Sequence, residues 1–212
     1  MTTEPPAVDR LGRDVGYPPH VPAGDWRRFC RQTVVLPAPT GCVLWLKPPR
    51  SDGYGQFWVQ GPGPELAPAA EPTLLEDLAT EPPAGDRAGR GRVWRAHRYA
   101  YAAWHGPIGP DVQVMHSCDE PLCVAREHLD VGTNRQNAND REHRGRTART
   151  GLLGARQWGG ADARGPYGRA VALHQALLAA LAAGADAEAL DAVLADVGAA
   201  GEAHPGQLSL DL

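Results

Sequence analysis

The sequence predicts an α+β fold of small antiparallel β-hairpins, a turn rich in metal-ligand side chains and a C-terminal helical hairpin. Residues 41–59 contain two short strand-like runs around a turn. Two thiols and two imidazoles lie at turn-like spacing over 116–128, and Ala/Leu-rich stretches fill 169–200. A chain of 212 residues holds one core of ordinary size, but 20 prolines and 25 glycines against two Phe place much of it outside that core.

The N-terminal part divides into an arm and the start of a folded domain. Residues 1–25 are rich in proline, glycine and charge, which predicts a disordered arm. A folded domain is predicted over 26–146, and Trp26–Arg31 begins it as a short helix. Cys30 has no evident partner in the sequence, so we interpret it as a buried thiol rather than a metal ligand.

The next segment predicts a β-hairpin followed by an inserted loop. The runs VLWLK and YGQFWV, at 43–47 and 54–59, read as strands joined by an SDG turn. Residues 60–92 then read as a solvated loop insertion, with at most a helical turn or two over 73–80. Six acidic residues against three arginines make this insertion a poor contact for DNA.

Downstream, the sequence predicts a helix, a second hairpin and another helix. The run VWRAHRYAYAAWH at 93–105 is compatible with a helix, and glycine and proline at 106–110 turn the chain. Residues 112–115 lead in as the first strand of the hairpin. Thr133 is a plausible N-cap, so the last helix should begin near it.

The stretch 116–137 carries the chemistry, with the ligand pattern His-x-Cys-x4-Cys-x4-His-x8-Asn. Cys118, Cys123 and His128 offer two thiols and an imidazole to a tetrahedral zinc ion. His116 and Asn137 lie outside this set, and a base and a hard-metal ligand are what phosphodiester hydrolysis requires. Two disulfides are the alternative use of the four cysteines, although the sequence shows no export signal.

A closed structural zinc site needs a fourth ligand, and Cys42 at the start of the first strand is the best candidate. The alternative is that Cys42 is buried as a small apolar residue. If Cys42 is not the ligand, His97 or His143 would replace it.

The spacing resembles that of the HNH, or ββα-metal finger, endonucleases, in the variant similar to His-Cys box enzymes. The phrase HL-x-x-GT-x-x-x-N-x-x-D at 128–140 supports the resemblance, which covers about 41–146. It implies a ββα-metal finger with His116 as general base and Asn137 holding Mg²⁺. It also implies that Cys118, Cys123 and His128 bind a structural zinc. His-Cys box enzymes draw one cysteine ligand from an earlier strand, and Cys42 would be that cysteine here.

The sequence departs from the family pattern in two places. Met115 stands where many members have an aspartate as a second metal ligand, and Val124-Ala125-Arg126 stands where many read Val-Asn-Pro. The resemblance also implies an arginine near the scissile phosphate. Arg98 is the candidate, and a surface arginine on a packed helix is the alternative.

Positive charge is concentrated after the predicted catalytic helix, although the net charge of the chain is −4. Residues 141–169 hold seven arginines against two acidic residues, and 147–168 reads as a basic flexible linker. Such a segment suits a phosphate backbone, although a merely solvated linker has the same composition. The predicted DNA contacts are Arg141, Arg144, Arg146 and Arg149.

The C-terminal region predicts a helical hairpin and a mobile tail. Residues 169–200 read as two helices broken at Gly184, whose apolar faces either dock on the chain or form a homodimer. Residues 201–212 form the tail, and its last six, QLSLDL, resemble the sliding-clamp-binding motif of bacterial replication and repair proteins. Gln207 would supply hydrogen bonds and Leu208, Leu210 and Leu212 the apolar contacts. Alternatively, the tail adds a strand to the protein's own sheet.

Together these features predict a DNA endonuclease that uses catalytic Mg²⁺ and structural Zn²⁺. The alternative from another class is a non-catalytic, zinc-stapled DNA-binding module, which would need neither His116 nor Asn137. A zinc-stabilised protein-interaction module would leave the basic segment unexplained. No apolar run of membrane-spanning length occurs, so we expect a cytoplasmic protein of a bacterial or phage-infected cell.

Overall fold

The computed structural model describes residues 5–59, 91–109, 112–143, 148–150, 156–158, 162 and 164–201, without the side chains of 140–158. The described helices are α1 (Ala23–Cys30), α2 (Ala96–His105), α3 (Asn134–His143), α4 (Gly165–Ala182), α5 (Ala187–Gly201) and a short 3₁₀ turn (Arg126–His128). The described strands form four antiparallel pairs: β1 (Thr33–Val35) with β2 (Val43–Trp45), β3 (Gln56–Val59) with β4 (Arg92–Arg95), β5 (Gln113–His116) with β6 (Leu129–Gly132), and β7 (Ala148–Thr150) with β8 (Arg156–Trp158). The predicted α+β class with small antiparallel hairpins is confirmed.

An aromatic cluster joins the N-terminal helix and strands to α2. Phe29 lies 4.9 Å from Trp45 and 5.1 Å from Phe57 between ring centroids, and Phe57 lies 4.7 Å from Tyr99. All four side chains are almost completely buried. Burying aromatic area of this size is the main favourable term that a small core can supply, so α1, β2, β3 and α2 form one rigid support for the elements that follow.

The predicted hairpin between 43–47 and 54–59 is wrong in its pairing, although both strands exist. β2 pairs with β1, with Val34 opposite Leu44, and β3 pairs with β4, with Trp58 opposite Val93. The segment 50–54 between β2 and β3 closes as a turn of its own, because the Gly53 amide donates to the Arg50 carbonyl at 2.8 Å. Strand-forming residues before and after these runs therefore compete successfully for pairing.

The predicted helix over 93–105 begins later than expected. Residues up to Arg95 belong to β4, and α2 starts at Ala96, whose amide donates to the Gly55 carbonyl at 2.9 Å. Val93 and Trp94 favour a strand because β-branched and aromatic side chains suit a half-buried pleated surface. The strand-to-helix change places His97 in the first turn of α2.

The N-terminal arm also differs from the expectation of disorder, over the residues described from Pro5 onwards. Asp9 is buried, and its carboxylate accepts hydrogen bonds from the amides of Leu11, Arg13 and Val35 at 2.8–2.9 Å. A buried carboxylate with three amide donors is well satisfied. This carboxylate ties the arm to β1, an interaction that composition does not reveal.

Strands β5 and β6 and helix α3 form a ββα unit. His116 pairs with Leu129 at the end of the hairpin, and α3 packs against both strands. The Thr133 hydroxyl accepts a hydrogen bond from the Gln136 amide at 3.2 Å, and the Gln136 side chain accepts one from the Thr133 amide at 2.8 Å. This reciprocal capping box fixes the start of α3. The predicted helix start near Thr133 is confirmed.

The C-terminal helices form the predicted hairpin and dock on the rest of the chain. Gly184 ends the first helix at φ +82°, a left-handed conformation that favours glycine. The buried apolar side chains of the hairpin include Leu173 and Leu177 of α4 and Leu190 of α5. The turn 50–54 and the start of α4 approach closely. A Cβ added to Gly53 would lie only 2.9 Å from the carbonyl oxygen of Pro166 in the first turn of α4.

Several predicted features fall on residues that are not described. Residues 60–90 of the predicted insertion at 60–92, Arg144, Arg146 and residues 202–212 of the predicted tail at 201–212 lie outside the described residues. The side chains of Arg141 and Arg149 are not described. Arg92 belongs to β4 and Gly201 to α5, so the insertion and the tail are shorter than predicted at these ends. The predicted linker 147–168 contains the strand pair β7 and β8. Among the described residues, no helix combines the length and apolar character that crossing a bilayer requires.

Candidate metal centre and active site

Four side chains converge on one point at the base of the ββα unit: Cys42, Cys118, Cys123 and His128. Their ligand atoms all lie within 4.8 Å of one another. The sulfurs of Cys42 and Cys123 each lie 3.5 Å from Nδ1 of His128. Zinc bonds of about 2.3 Å to sulfur and about 2.0 Å to nitrogen at tetrahedral angles place these atoms about 3.5 Å apart. The set therefore has the composition and spacing of a closed Cys₃His zinc site.

Cys42 reaches the cluster because β2 pairs with the turn that carries the other cysteines. The amide of Trp45 donates to the Leu122 carbonyl at 2.9 Å, and the amide of Val124 donates to the Val43 carbonyl at 2.7 Å. Leu44 and Cys123 thus form a β-bridge. Cys42 precedes this strand and Cys123 lies beside it, which explains why residues 81 positions apart in the chain share a site.

The turn between Cys118 and Cys123 is held by its own backbone. The amide of Cys123 donates to the Glu120 carbonyl at 2.9 Å, and Asp119 has a left-handed φ of 61°. The amide of Ser117 donates to the His128 carbonyl at 2.9 Å. The peptide bonds around the cluster are therefore fixed, and its ligands are preorganised.

The three thiols share protons in a way that suits a cation. Hydrogen bonds from Cys123 and Cys42 lower the pKa of the Cys118 thiol. Hydrogen bonding to Cys118 raises the pKa of Cys42 to about 12, and the same cause raises the pKa of Cys123. A divalent cation would replace the protons on thiols that share them in this way, which is how zinc binding displaces protons from cysteine ligands.

A buried ion pair attaches α4 to the same turn. The guanidinium of Arg169 donates to a Glu120 carboxylate oxygen at 3.0 Å, and Glu120 is only 1% exposed. Burial raises the pKa of Glu120, while the charge of Arg169 opposes that rise.

A cavity of about 370 Å³ lies between the cluster and helices α4 and α5, and Thr40, Ser117 and Leu194 contribute to its lining. The cavity provides a path for an ion to the thiols.

His116 lies next to the cluster and is oriented by it. Its Nε2 lies 2.8 Å from the carbonyl oxygen of Cys123. Because a carbonyl only accepts, Nε2 carries the proton and the lone pair of the neutral ring is on Nδ1. The backbone of one cluster cysteine therefore selects the tautomer of this imidazole.

Asn137 lies on α3, half-buried, and its amide donates to the Thr133 carbonyl at 3.0 Å. Since α3 packs on β5 and β6, the helix that bears Asn137 lies against the hairpin that bears His116. The Cys₃His set is the one group of three or more His, Cys, Asp or Glu ligands found among the described residues.

Arg98 holds the backbone that leads into β5. Its guanidinium donates to the Gly109 carbonyl at 2.7 Å and also to the Val112 carbonyl. Guanidinium groups have five N–H donors, so further donors remain for an anion.

Cys30 is buried in the aromatic core, and burial raises the pKa of its thiol to about 12, in keeping with a buried thiol. All four cysteines are free thiols in the structure.

A ββα unit with a Cys₃His cluster beside it and a histidine at the end of its first strand is consistent with an HNH-type fold. Residues 95–139 match the HNH endonuclease family. This segment is therefore similar to HNH endonucleases, and the Cys/His cluster fits the zinc-binding variant of that family. The predicted recognition is confirmed over this segment.

Two curated relatives come from Escherichia phage T7. The chain is 28% identical to Protein 7.7 over 108 residues, which cover 51% of this chain and 60% of that protein. It is 29% identical to Protein 2.8 over 108 residues, which cover 51% of this chain and 54% of that protein. The similarity thus spans little more than half the length of either relative. No solved structure matches the chain.

The sequence reasoning did not identify the groups that surround His116. His97, considered as a substitute zinc ligand, instead lies 5.1 Å from the His116 ring, and Tyr54 lies 5.9 Å from it between centroids. Glu120 was also overlooked, although it lies between the two cysteines in sequence. His143 lies in α3, and its side chain is not described. No spacing rule connects residues that meet only through tertiary packing.

Proposed function

We propose that the protein is a metal-dependent DNA endonuclease in which His116 is the general base. The observation that carries the proposal is the 2.8 Å hydrogen bond from Nε2 of His116 to the Cys123 carbonyl. This hydrogen bond places the proton of the neutral ring on Nε2 and its lone pair on Nδ1. The Cys₃His cluster braces the hairpin that carries this imidazole. A zinc-stapled module with no catalytic role would need no such imidazole.

In the proposed reaction, Nδ1 of His116 takes a proton from a water molecule as that water attacks phosphorus in line with the 3′-oxygen. The bond from phosphorus to the 3′-oxygen breaks, and the departing oxygen takes a proton from solvent water, which leaves 5′-phosphate and 3′-hydroxyl ends. As the imidazole becomes cationic, its Nε2–H continues to donate to the Cys123 carbonyl. The hydrogen bond therefore strengthens as the proton is transferred.

Asn137 would hold the catalytic cation through its side-chain oxygen. Mg²⁺ prefers hard oxygen ligands and keeps several water molecules, so one amide together with phosphate oxygens is a workable set. When bound, the ion would supply positive charge against the pentacovalent phosphorus and the departing oxygen. Met115 supplies no oxygen, so this set has one protein ligand fewer than many family members.

Zinc in the Cys₃His cluster would be structural. Four protein ligands close the coordination sphere and leave no position for substrate. The binding free energy of such a site, on the order of 10 kcal/mol, is comparable with the whole stability of a small domain. It would substitute for the core that the short β5–β6 hairpin lacks.

DNA binding is assigned to the arginines at the end of α3 and in the basic segment after it. Arg141, Arg144, Arg146 and Arg149 would contact phosphates, and each contact would make binding more sensitive to salt. Arg98 would contribute by fixing β5 and by offering its remaining donors to the scissile phosphate. A cytoplasmic location and a homodimer belong to the same proposal.

Supercoiled plasmid provides the direct test. Purified protein should convert it to nicked or linear DNA with Mg²⁺, and EDTA added after folding should stop the reaction. Retained DNA binding without any cleavage in Mg²⁺ would instead favour the zinc-stapled DNA-binding module.

We also propose that the tail recruits this nuclease to a bacterial sliding clamp. In the hexapeptide QLSLDL, Gln207 is followed by leucines at every second position, Leu208, Leu210 and Leu212. An extended peptide bound in a groove would place these leucines on one side. A labelled peptide should bind the host clamp at micromolar concentration in a fluorescence-polarisation titration. A peptide with Gln207→Ala and Leu210→Ala should not bind. Equal binding by both peptides, or none at tens of micromolar, would remove the clamp from the proposal.

A further inference from the structure

Three rings form a closed triangle around the proposed base. Tyr54 lies 4.6 Å from His97 and 5.9 Å from His116, and His97 lies 5.1 Å from His116, all between ring centroids. The planes of Tyr54 and His116 are inclined by only 24°. Each ring thus contacts the other two, and His116 packs on two rings in addition to its hydrogen bond with the Cys123 carbonyl.

Tyr54 is held in place by the turn that precedes it. Its amide donates to an Asp52 carboxylate oxygen at 3.0 Å, and its carbonyl accepts from the Arg50 amide at 3.0 Å. The guanidinium of Arg95 lies 5.3 Å above the Tyr54 ring and pairs with Asp52. The phenol ring is therefore clamped between the cation and the two imidazoles.

His97 is suited to packing rather than to proton transfer. It is only 4% exposed, and Nδ1 has no hydrogen-bond partner among the described residues. Burial, followed by the positive charges of His116, Arg95 and Arg98, holds its pKa well below the ordinary range.

We propose that Tyr54 and His97 are positioning residues that hold the His116 ring in its working orientation. A hydrogen bond at Nε2 fixes one atom of the imidazole, whereas packing against two rings restrains the tilt of the whole ring plane. Displacements of about 1 Å from working geometry can cost on the order of 10²-fold in rate. The inference rests on the proposed role of His116 as base.

The test compares Tyr54→Ala with Tyr54→Phe. The alanine variant should lower kcat about 10- to 100-fold with KM for DNA within about twofold of wild type, since a tilted base affects the chemical step alone. The phenylalanine variant keeps the ring and should stay within about threefold. Tyr101→Ala is the matched control, because it removes a comparable Tyr–His stack, on His105 at 4.4 Å, that does not include His116.

Other results would overturn the inference. Wild-type kcat in Tyr54→Ala would show that packing does not position the base. A raised KM with unchanged kcat would make Tyr54 a substrate contact, and equal losses in both variants would assign the role to its hydroxyl. The nitrogen NMR signals of His116 give a readout independent of cleavage. Tyr54→Ala should weaken the Nε2–H tautomer preference, so the inference survives or fails separately from the nuclease assignment.

Discussion

Replacing His116 with alanine should reduce plasmid cleavage by about 10²- to 10⁴-fold, the usual contribution of a positioned general base. The loss should appear in kcat, because the ring acts on the attacking water rather than on binding of DNA. Cleavage by the wild-type protein should also fall as acid is added, because an imidazolium ion has no lone pair to accept a proton. The measurement is the initial rate of nicking at saturating Mg²⁺.

The variant must keep its fold for this result to be informative. His116 is not among the four clustered ligands, so zinc content and circular dichroism should match wild type. His105→Ala is the matched control, because it removes an exposed imidazole from the end of α2. Equal rates for His116→Ala and wild type would refute the assignment of the base.

The ligand cluster was predictable because its members lie close in sequence. Cys118, Cys123 and His128 fall within eleven residues, and short turns bring such residues together regardless of the remaining fold. Predicting Cys42 as the fourth ligand required the additional assumption that an earlier strand pairs with this turn. The four side chains indeed converge, and this follows from the bridge between Leu44 and Cys123.

Strand pairing and the surroundings of the base were not predictable in the same way. The SDG turn signal at 51–53 suggested a hairpin, yet β2 and β3 each pair with another strand. Turn chemistry fixes where a chain bends but not which strands satisfy the backbone groups on either side. His97 reaches His116 from the first turn of α2, directly after β4, and Tyr54 reaches both rings from the turn before β3. Such contacts depend on the completed core.

The two proposed metal roles should separate cleanly by mutation. Cys118→Ser or Cys123→Ser should lose zinc and unfold the hairpin, because about 10 kcal/mol of binding free energy exceeds what the remaining core can replace. Wild-type protein should contain one zinc per chain by elemental analysis. Cys30→Ala is the matched control, since it removes a buried cysteine outside the cluster and should keep the full zinc content.

Asn137→Ala should give the opposite pattern, with zinc and fold retained and Mg²⁺-dependent cleavage lost. The half-buried amide takes no part in the Cys₃His cluster, so its removal leaves the hairpin braced. Asn137→Asp keeps a hard oxygen at the same position and should recover part of the rate at higher Mg²⁺ concentration. Full activity in Asn137→Ala would show that the catalytic cation is held elsewhere. Wild-type protein that folds without any zinc would likewise refute the structural role of the cluster, because a closed thiolate site that stays empty contributes nothing to stability.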